Sequence, residues 1–211
     1  MSNSAYITTK ANFENGGIAV YLHWNGGRDS VEGFLKYCEL KGYRVPSNSG
    51  YGWARLAQVI GNFFGGTVNV GIEYIRPEVY YCSDNGFYII EGWKIVDRKN
   101  PPLHEQKNWP LNKMLFDIDS SMPREEQLGQ DFFDSKKVNT EDINVGDTIL
   151  FYDVLNSKYT TCKVEGIGDG VVNGTDRTGI PYVNVWGENH KKNPNNYITT
   201  QTVRRLERED E

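Results

Sequence analysis

Gly17-Ile-Ala-Val-Tyr-Leu-His-Trp24, running into Asn25-Gly26-Gly27-Arg28-Asp29-Ser30, decides how this chain is read. Ile18, Val20, Leu22 and Trp24 fall on one side of a period-two pattern, and Ala19, Tyr21 and His23 on the other. That spacing predicts a strand. Asn-Gly-Gly breaks it. Asp29 reads as a helix N-cap, with Glu32 three residues on completing a capping-box pattern. Val31, Phe34, Leu35 and Cys38 then recur at helical spacing, and Gly42 suits the residue just past the helix end.

Outward from this stretch, Trp53, Leu56, Ala57, Ile60, Phe63 and Phe64 predict a second helix, starting near 49–52 and ended by Gly65-Gly66. Val68, Val70 and Ile72 predict a strand over 67–74. Val79–Cys82 reads as a short strand. Asp84-Asn85-Gly86 is a turn signal, and a long strand is expected from Gly86 to Arg98, with Gly92 marking a bulge or close backbone approach. Residues 1–100 therefore read as an α+β domain, with two helices on one face of a mainly antiparallel sheet.

Prolines 101, 102 and 110 and frequent acidic residues set 101–142 apart as a linker with short elements of its own. Met114–Ile118 reads as a short strand and Ser121 as the cap of a short helix. From Ile143, strands are expected at Val145–Tyr152, Tyr159–Ile167, Tyr182–Trp186 and Tyr197–Leu206. Short strands between Gly/Asn/Asp turns predict a small β-barrel over 143–206, followed by the acidic tail Glu207–Glu211.

The chain has 211 residues, 24% charged and 38% hydrophobic, the composition of a globular protein. Its net charge is −5. Ten basic residues oppose nine acidic ones in 1–100, five oppose nine in 101–142, and eight oppose ten in 143–211. No segment carries the basic excess that anchors a DNA backbone, so duplex DNA is not the expected partner. An acidic chain suits a basic partner, including a protein that itself binds nucleic acid. The start, Met1-Ser-Asn-Ser-Ala5, has neither a basic nor an apolar leader region, and no apolar run reaches the length of a membrane span. A cytoplasmic protein is expected.

Two stretches carry resemblances. IAVYLHWNGGRDSVEGFLKYCELKGYR with YGWARLAQVIGNFFGG, within residues 17–98, is similar to uncharacterised proteins of phages and integrated mobile elements. The resemblance implies a small protein that acts on host machinery, and it supplies no catalytic residue. The segment VGDTILFYD…KYTTCKVEGI resembles an SH3-like or tudor-like barrel.

Candidate sites are few. The turn places backbone N–H groups after Gly26 and Gly27 at a helix start, with Arg28 as counter-charge, so Gly26, Gly27, Arg28, Asp29 and His23 form a candidate ligand site for a phosphate or carboxylate. An ordinary structural turn is the competing reading, because Asp29 would take the same N–H groups. His23 needs an acid partner to serve as a base, and Asp29 or Glu32 qualifies only if the turn folds back. Asp117 and Asp119 on one strand face could hold a divalent ion, with Asp131 or Asp134 as a further ligand. Cys38, Cys82 and Cys162 are too few and too dispersed for a disulfide framework or zinc site. The barrel aromatics Tyr152, Tyr159, Tyr182, Trp186 and Tyr197 are core or rim residues, or else a binding platform; Tyr152, Tyr159 and Trp186 are the candidate partner-binding set.

No metal or cofactor is expected. The leading expectation is a phage or mobile-element accessory protein that binds a host protein, in its sharpest form an anti-CRISPR-like inhibitor of a defence nuclease. The alternatives are a small-ligand or nucleotide binder using the Asn25–Ser30 turn, and an enzyme with its site around His23, Arg28 and Asp29.

Overall fold

Alternation over Gly17–Trp24 and the two helical stripes after it translate directly into structure, but around a strand the pattern does not announce. The computed structural model describes residues 3–47, 50–66, 69–105, 109–138, 142–153, 158–168, 171–176, 181–185 and 204–206. The chain divides into two units, 1–124 and 125–211.

In the first unit, β1 (Ala5–Thr9) leads into a short helix α1 (Lys10–Asn15), β2 (Gly17–Leu22), α2 (Arg28–Leu40), α3 (Tyr51–Phe63), β3 (Val70–Ile75), β4 (Phe87–Glu91), β5 (Lys94–Lys99) and α4 (Leu111–Ser121). The five strands lie in the order β3-β2-β1-β4-β5. All pairs are antiparallel except β1 with β4, which run parallel with Tyr6 beside Phe87. The expected sheet and two helices are present, and β1 and α1 are additions. β1 reads Ala-Tyr-Ile-Thr-Thr and is buried on both faces. A central strand of that kind lacks the polar alternation that marks a half-exposed one.

Ile7, Val20, Leu22, Tyr88 and Ile90 line one face of the sheet and are fully or almost fully buried. The helices α2, α3 and α4 close over it, with α2 against both others. Gly33 allows the approach of α4: a Cβ there would meet the Met114 side chain at 2.5 Å. Both long helices end in the same way. Gly42 at φ +65° follows α2, where Gly42 N–H donates to Glu39 O (3.0 Å) and Tyr43 N–H to Cys38 O (3.1 Å). Gly65 and Gly66 repeat these bonds after α3, to Asn62 and Gly61 (both 2.8 Å). These are Schellman closures, which need a residue that tolerates positive φ.

Several expectations are corrected. Val79–Cys82 forms no strand; it belongs to a loop whose Tyr81 ring packs on Tyr6 and Phe87. The long strand over 86–98 is a hairpin, with Gly92 at φ +59° and Trp93 turning between Glu91 and Lys94. Met114–Ile118 is helical, because Met114, Leu115 and Ile118 supply a buried stripe at i, i+1 and i+4. The expected linker therefore contributes a core helix to the first unit. The helix expected after Ser121 is a single 3-10 turn at Arg124–Glu126.

The second unit holds a short helix α5 (Gln130–Phe133) and strands β6 (Ser135–Lys137), β7 (Thr148–Asp153), β8 (Lys158–Gly168), β9 (Val171–Asp176), β10 (Pro181–Val185) and β11 (Arg204–Leu206). They form an antiparallel sheet in the order β10-β9-β8-β7-β11-β6. Its outermost strands do not pair with each other, so among the described residues there is no closed barrel. Ile149, Leu150 and Val164 are buried in it. β9, with Asn173-Gly174 in its middle, gave no strand pattern. Of the expected strand 197–206, residues 197–203 lie outside the described residues.

The packing of α4 generates a test. A fragment of residues 1–124 should unfold in one cooperative transition. A fragment of residues 1–100, lacking Met114, Leu115 and Ile118, should show none, because removing three buried side chains of this size costs several times about 2 kcal/mol. Equal cooperativity in urea melts of the two fragments would place α4 outside the core.

Candidate functional site

The glycine turn is built around the N-terminal segment. β2 ends at Leu22, and the His23 N–H still donates to Asn69 O (2.9 Å). Asn25 takes a positive φ of 53°. Gly26 N–H then donates to Asn3 O (2.6 Å), while the Tyr88 hydroxyl donates to Gly26 O (2.8 Å). A Cβ on Gly26 would stand 2.6 Å from Asn3 O and 2.8 Å from the Ala5 Cβ. This glycine is thus required by the close passage of residues 3–5.

Helix α2 starts two residues earlier than the sequence implied. Gly27 is the N-cap and has no side chain with which to cap. Asp29 sits inside the first turn, nearly buried, where its Oδ1 accepts from Ser30 N–H (2.7 Å) and its Oδ2 from Trp109 N–H (3.2 Å). Glu32 does not reach back to the cap; it accepts from Arg28 Nε (2.6 Å). Asp29 as N-cap with a Glu32 capping box is therefore corrected. A carboxylate in the first turn satisfies the helix dipole from within the chain. It stands where an external anion would have to bind.

Arg28 is also engaged. Its guanidinium bridges Glu32 and Glu105, the latter at 3.0 Å, and hydrogen bonding to both carboxylates raises its pKa further. Glu105 accepts in turn from Arg98 (2.5 Å), whose other terminal nitrogen donates to Asn85 O (2.5 Å). The Arg98 guanidinium carbon stacks 3.6 Å from the Tyr88 ring centroid, and its Nε is buried without a hydrogen-bond partner among the described residues. This network ties the glycine turn, the turn before β4 and the segment after β5 together. His23 is exposed, edge-on to Trp24 at 5.0 Å, and no acid side chain among the described residues hydrogen-bonds to its ring. The five residues of the turn are brought close together, but around their own contacts.

A cleft forms on the opposite face of the sheet. Tyr6 stacks on Phe87 (4.8 Å), Phe13 of α1 meets Phe87 edge-on (5.1 Å), and Tyr81 meets Tyr6 edge-on (5.7 Å). The Tyr81 hydroxyl accepts from Arg76 N–H (2.9 Å) and fixes the 76–81 loop. Beside these rings lies a cleft of about 420 Å³, lined by Phe13, Glu14, Ile75, Arg76, Pro77, Glu78, Val79, Tyr80, Tyr81, Phe87 and Asn100. Tyr80 is 83% exposed at its rim. Sequence reasoning missed it, having assigned Val79–Cys82 to a strand; Pro77 and the run of aromatics were the available signals.

Among the described residues, none of the remaining candidates lines this cleft. Tyr152 on β7 and Tyr159 on β8 are register partners, and the Tyr159 ring lies 4.8 Å from that of buried Phe132. Trp186 and Tyr197 lie outside the described residues. Asp117 and Asp119 lie on helix α4, not on a strand face: Asp117 pairs with Lys113 (3.0 Å), and buried Asp119 accepts from the Tyr37 hydroxyl (2.7 Å). Among the described residues no group of three His, Cys, Asp or Glu side chains is placed to hold a metal ion. Cys38 is buried and Cys82 exposed. Among the described residues no helix is long and apolar enough to cross a membrane.

Comparisons with family models, with curated proteins and with solved structures find no match for this chain.

The buried titratable groups give a pH prediction. Burial pushes the pKa values of Tyr37, Tyr88 and Cys38 well above their ordinary ranges, helped at Tyr37 by its bond to Asp119. A raised folded-state pKa stabilises the fold fully below the unfolded value, and that stability is lost as pH rises. Unfolded thiols and phenols titrate near about 8.5 and 10. Urea midpoints should therefore be flat up to about pH 8 and fall steeply beyond about pH 10. Cys38→Ala should remove the earlier part of the fall. A midpoint that holds through about pH 11 would show that these groups ionise without unfolding the chain.

Proposed function

We propose that this protein acts by binding another protein, and that the cleft between Phe13 and Tyr81 is its docking face. The observation that carries this reading is an aromatic-walled cleft with an exposed apolar rim at Val79 and Tyr80. Aromatic side chains set in pockets are the usual anchors of protein interfaces. Glu14 and Glu78 beside the rings, with the net charge of −5, favour a basic partner surface. The resemblance of 17–98 to phage and mobile-element proteins makes that partner a host protein. A nucleic-acid-binding defence enzyme, inhibited by occupation as anti-CRISPR proteins do, is the sharpest form of the proposal.

For the second unit we infer an SH3-like course. Its support is the strand order: β7 to β10 form a meander, and β11 returns to the free side of β7. Tyr152, Tyr159 and Trp186 are the residues we propose for partner contact in this unit. The ligand-binding alternative at Asn25–Ser30 has less support, because Gly26 N–H, Ser30 N–H and Arg28 already have partners within the chain.

Capture from a bacterial lysate, wild type against a Val79→Asp/Tyr80→Ala variant, tests the docking face. Both residues are exposed, so melting temperature should not change. The variant should lose its captured partner, with affinity down at least about tenfold. Retention of the same partner at equal strength would rule out the cleft. Bare duplex and single-stranded DNA should give no gel shift. A tight, salt-sensitive shift would replace the protein-partner reading.

A further inference from the structure

The two edges of the first sheet are unlike. β5 carries Lys94, Asp97, Arg98 and Lys99, with a register shift against β4. Charges and irregularity of this kind protect an edge from pairing with another chain. β3 reads Val70-Gly-Ile-Glu-Tyr-Ile75, with one charge, no proline and a continuous register on β2. No strand among the described residues pairs with its outer side. Ile72 and Tyr74 are 58% and 66% exposed on it.

The hydrogen-bond phase of β3 follows from its partner. His23 N–H donates to Asn69 O, and the β2–β3 register continues through Tyr21↔Gly71, Ala19↔Glu73 and Gly17↔Ile75. In an antiparallel ladder alternate residues face the partner, so residues 69, 71, 73 and 75 direct their main-chain groups to β2. Val70, Ile72 and Tyr74 direct theirs outward. They are also the apolar residues of one face.

We propose that two copies of this chain pair antiparallel through β3, with Ile72 opposite Ile72 across a two-fold axis. In this register Val70 lies opposite Tyr74 and Glu73 opposite Gly71. All three outward-facing residues then exchange bonds, about six in total. The like charges do not meet, and the Glu73 carboxylate stays with the Tyr6 hydroxyl (3.2 Å) on the other face. Moving the centre to Glu73 sets carboxylate against carboxylate, which is unfavourable. Moving it to Gly71 leaves Tyr74 unpaired. Shifting the pairing by a single residue puts the apolar set on the wrong face. The charge pattern thus matches a second copy of the same strand. The axis is perpendicular to the joined sheet, so both Phe13–Tyr81 clefts face the same side. The inference goes beyond the protein-binding proposal and does not depend on it.

Light scattering on the eluting full-length protein tests the dimer, and cysteine substitution tests the register. Residues in a directly opposed hydrogen-bonded pair have Cα atoms about 5.5 Å apart, within disulfide range. Ile72→Cys should therefore form a reducible covalent dimer on air oxidation. Val70→Cys, which keeps the same native cysteines, should not, because Tyr74 faces it. Ile72→Lys should weaken the dimer at least about tenfold with circular dichroism and melting of the monomer preserved. Wild type that stays monomeric at high concentration overturns the proposal, including the case in which this edge takes a strand from a different protein. A dimer that survives Ile72→Lys, or cross-linking at Val70 as strong as at Ile72, overturns the interface or its register.

Discussion

The first unit depends on the threading of residues 3–9 through its centre. β1 lies between β2 and β4, buried on both faces, and the residues before it are clasped from two sides. Asn3 O accepts from Gly26 N–H. Ser4 receives the other turn: its N–H and hydroxyl both donate to Asp84 Oδ2 (2.8 Å each), and its carbonyl accepts from Asn85 N–H (2.9 Å). A buried main chain must have its polar groups met. The two turns meet them at the one place where β1 enters the sheet. This explains why glycine stands at 26 and why Asp84-Asn85-Gly86 is a clasp as well as a turn.

The same constraint shapes the two faces. On the helix side, Tyr88 beside β1 donates to Gly26 O and carries the Arg98 guanidinium on its ring. Arg98 and Arg28 then share Glu105, so the segment after β5 is held to the glycine turn. A cation with little exposed surface is costly unless paired, which makes Glu105 a structural residue. On the other face, Tyr6 is the centre of a ring cluster with Tyr21, Tyr81 and Phe87. The threading of β1 therefore sets the floor of the cleft to which we assign partner binding.

This arrangement changes what the conspicuous motif is for. Gly-Gly before a helix is a recognised way to hold an anion. Here the chain fills that position itself, with Asp29 in the first helical turn and an internal carbonyl on Gly26 N–H. We place the contacts with other molecules elsewhere, at the aromatic surface of Val79–Tyr81 and at the side of β3 that no strand among the described residues pairs with. Both are apolar with acidic neighbours, which suits protein contact.

How much was legible follows from range. Local patterns decided local structure. The alternation at Gly17–Leu22, the stripes of α2 and α3, and the glycines at 42, 65 and 66 each act within one or two turns of chain, and each is found as read. β1 escaped because it is buried on both faces and so carries no alternation. α4 escaped because prolines 101, 102 and 110 outweighed a three-residue stripe. The site readings failed for a further reason. Whether Gly26 N–H is free depends on Asn3, whether Arg28 is free depends on Glu105, and whether Tyr81 pairs or packs depends on Tyr6. The sequence by itself determined which segments could be strands, helices and turns, since those preferences reside in neighbouring residues. Only the tertiary structure decided which donors, charges and rings remain available, since their partners come from residues 3–6 and 105, remote in sequence from the groups they meet.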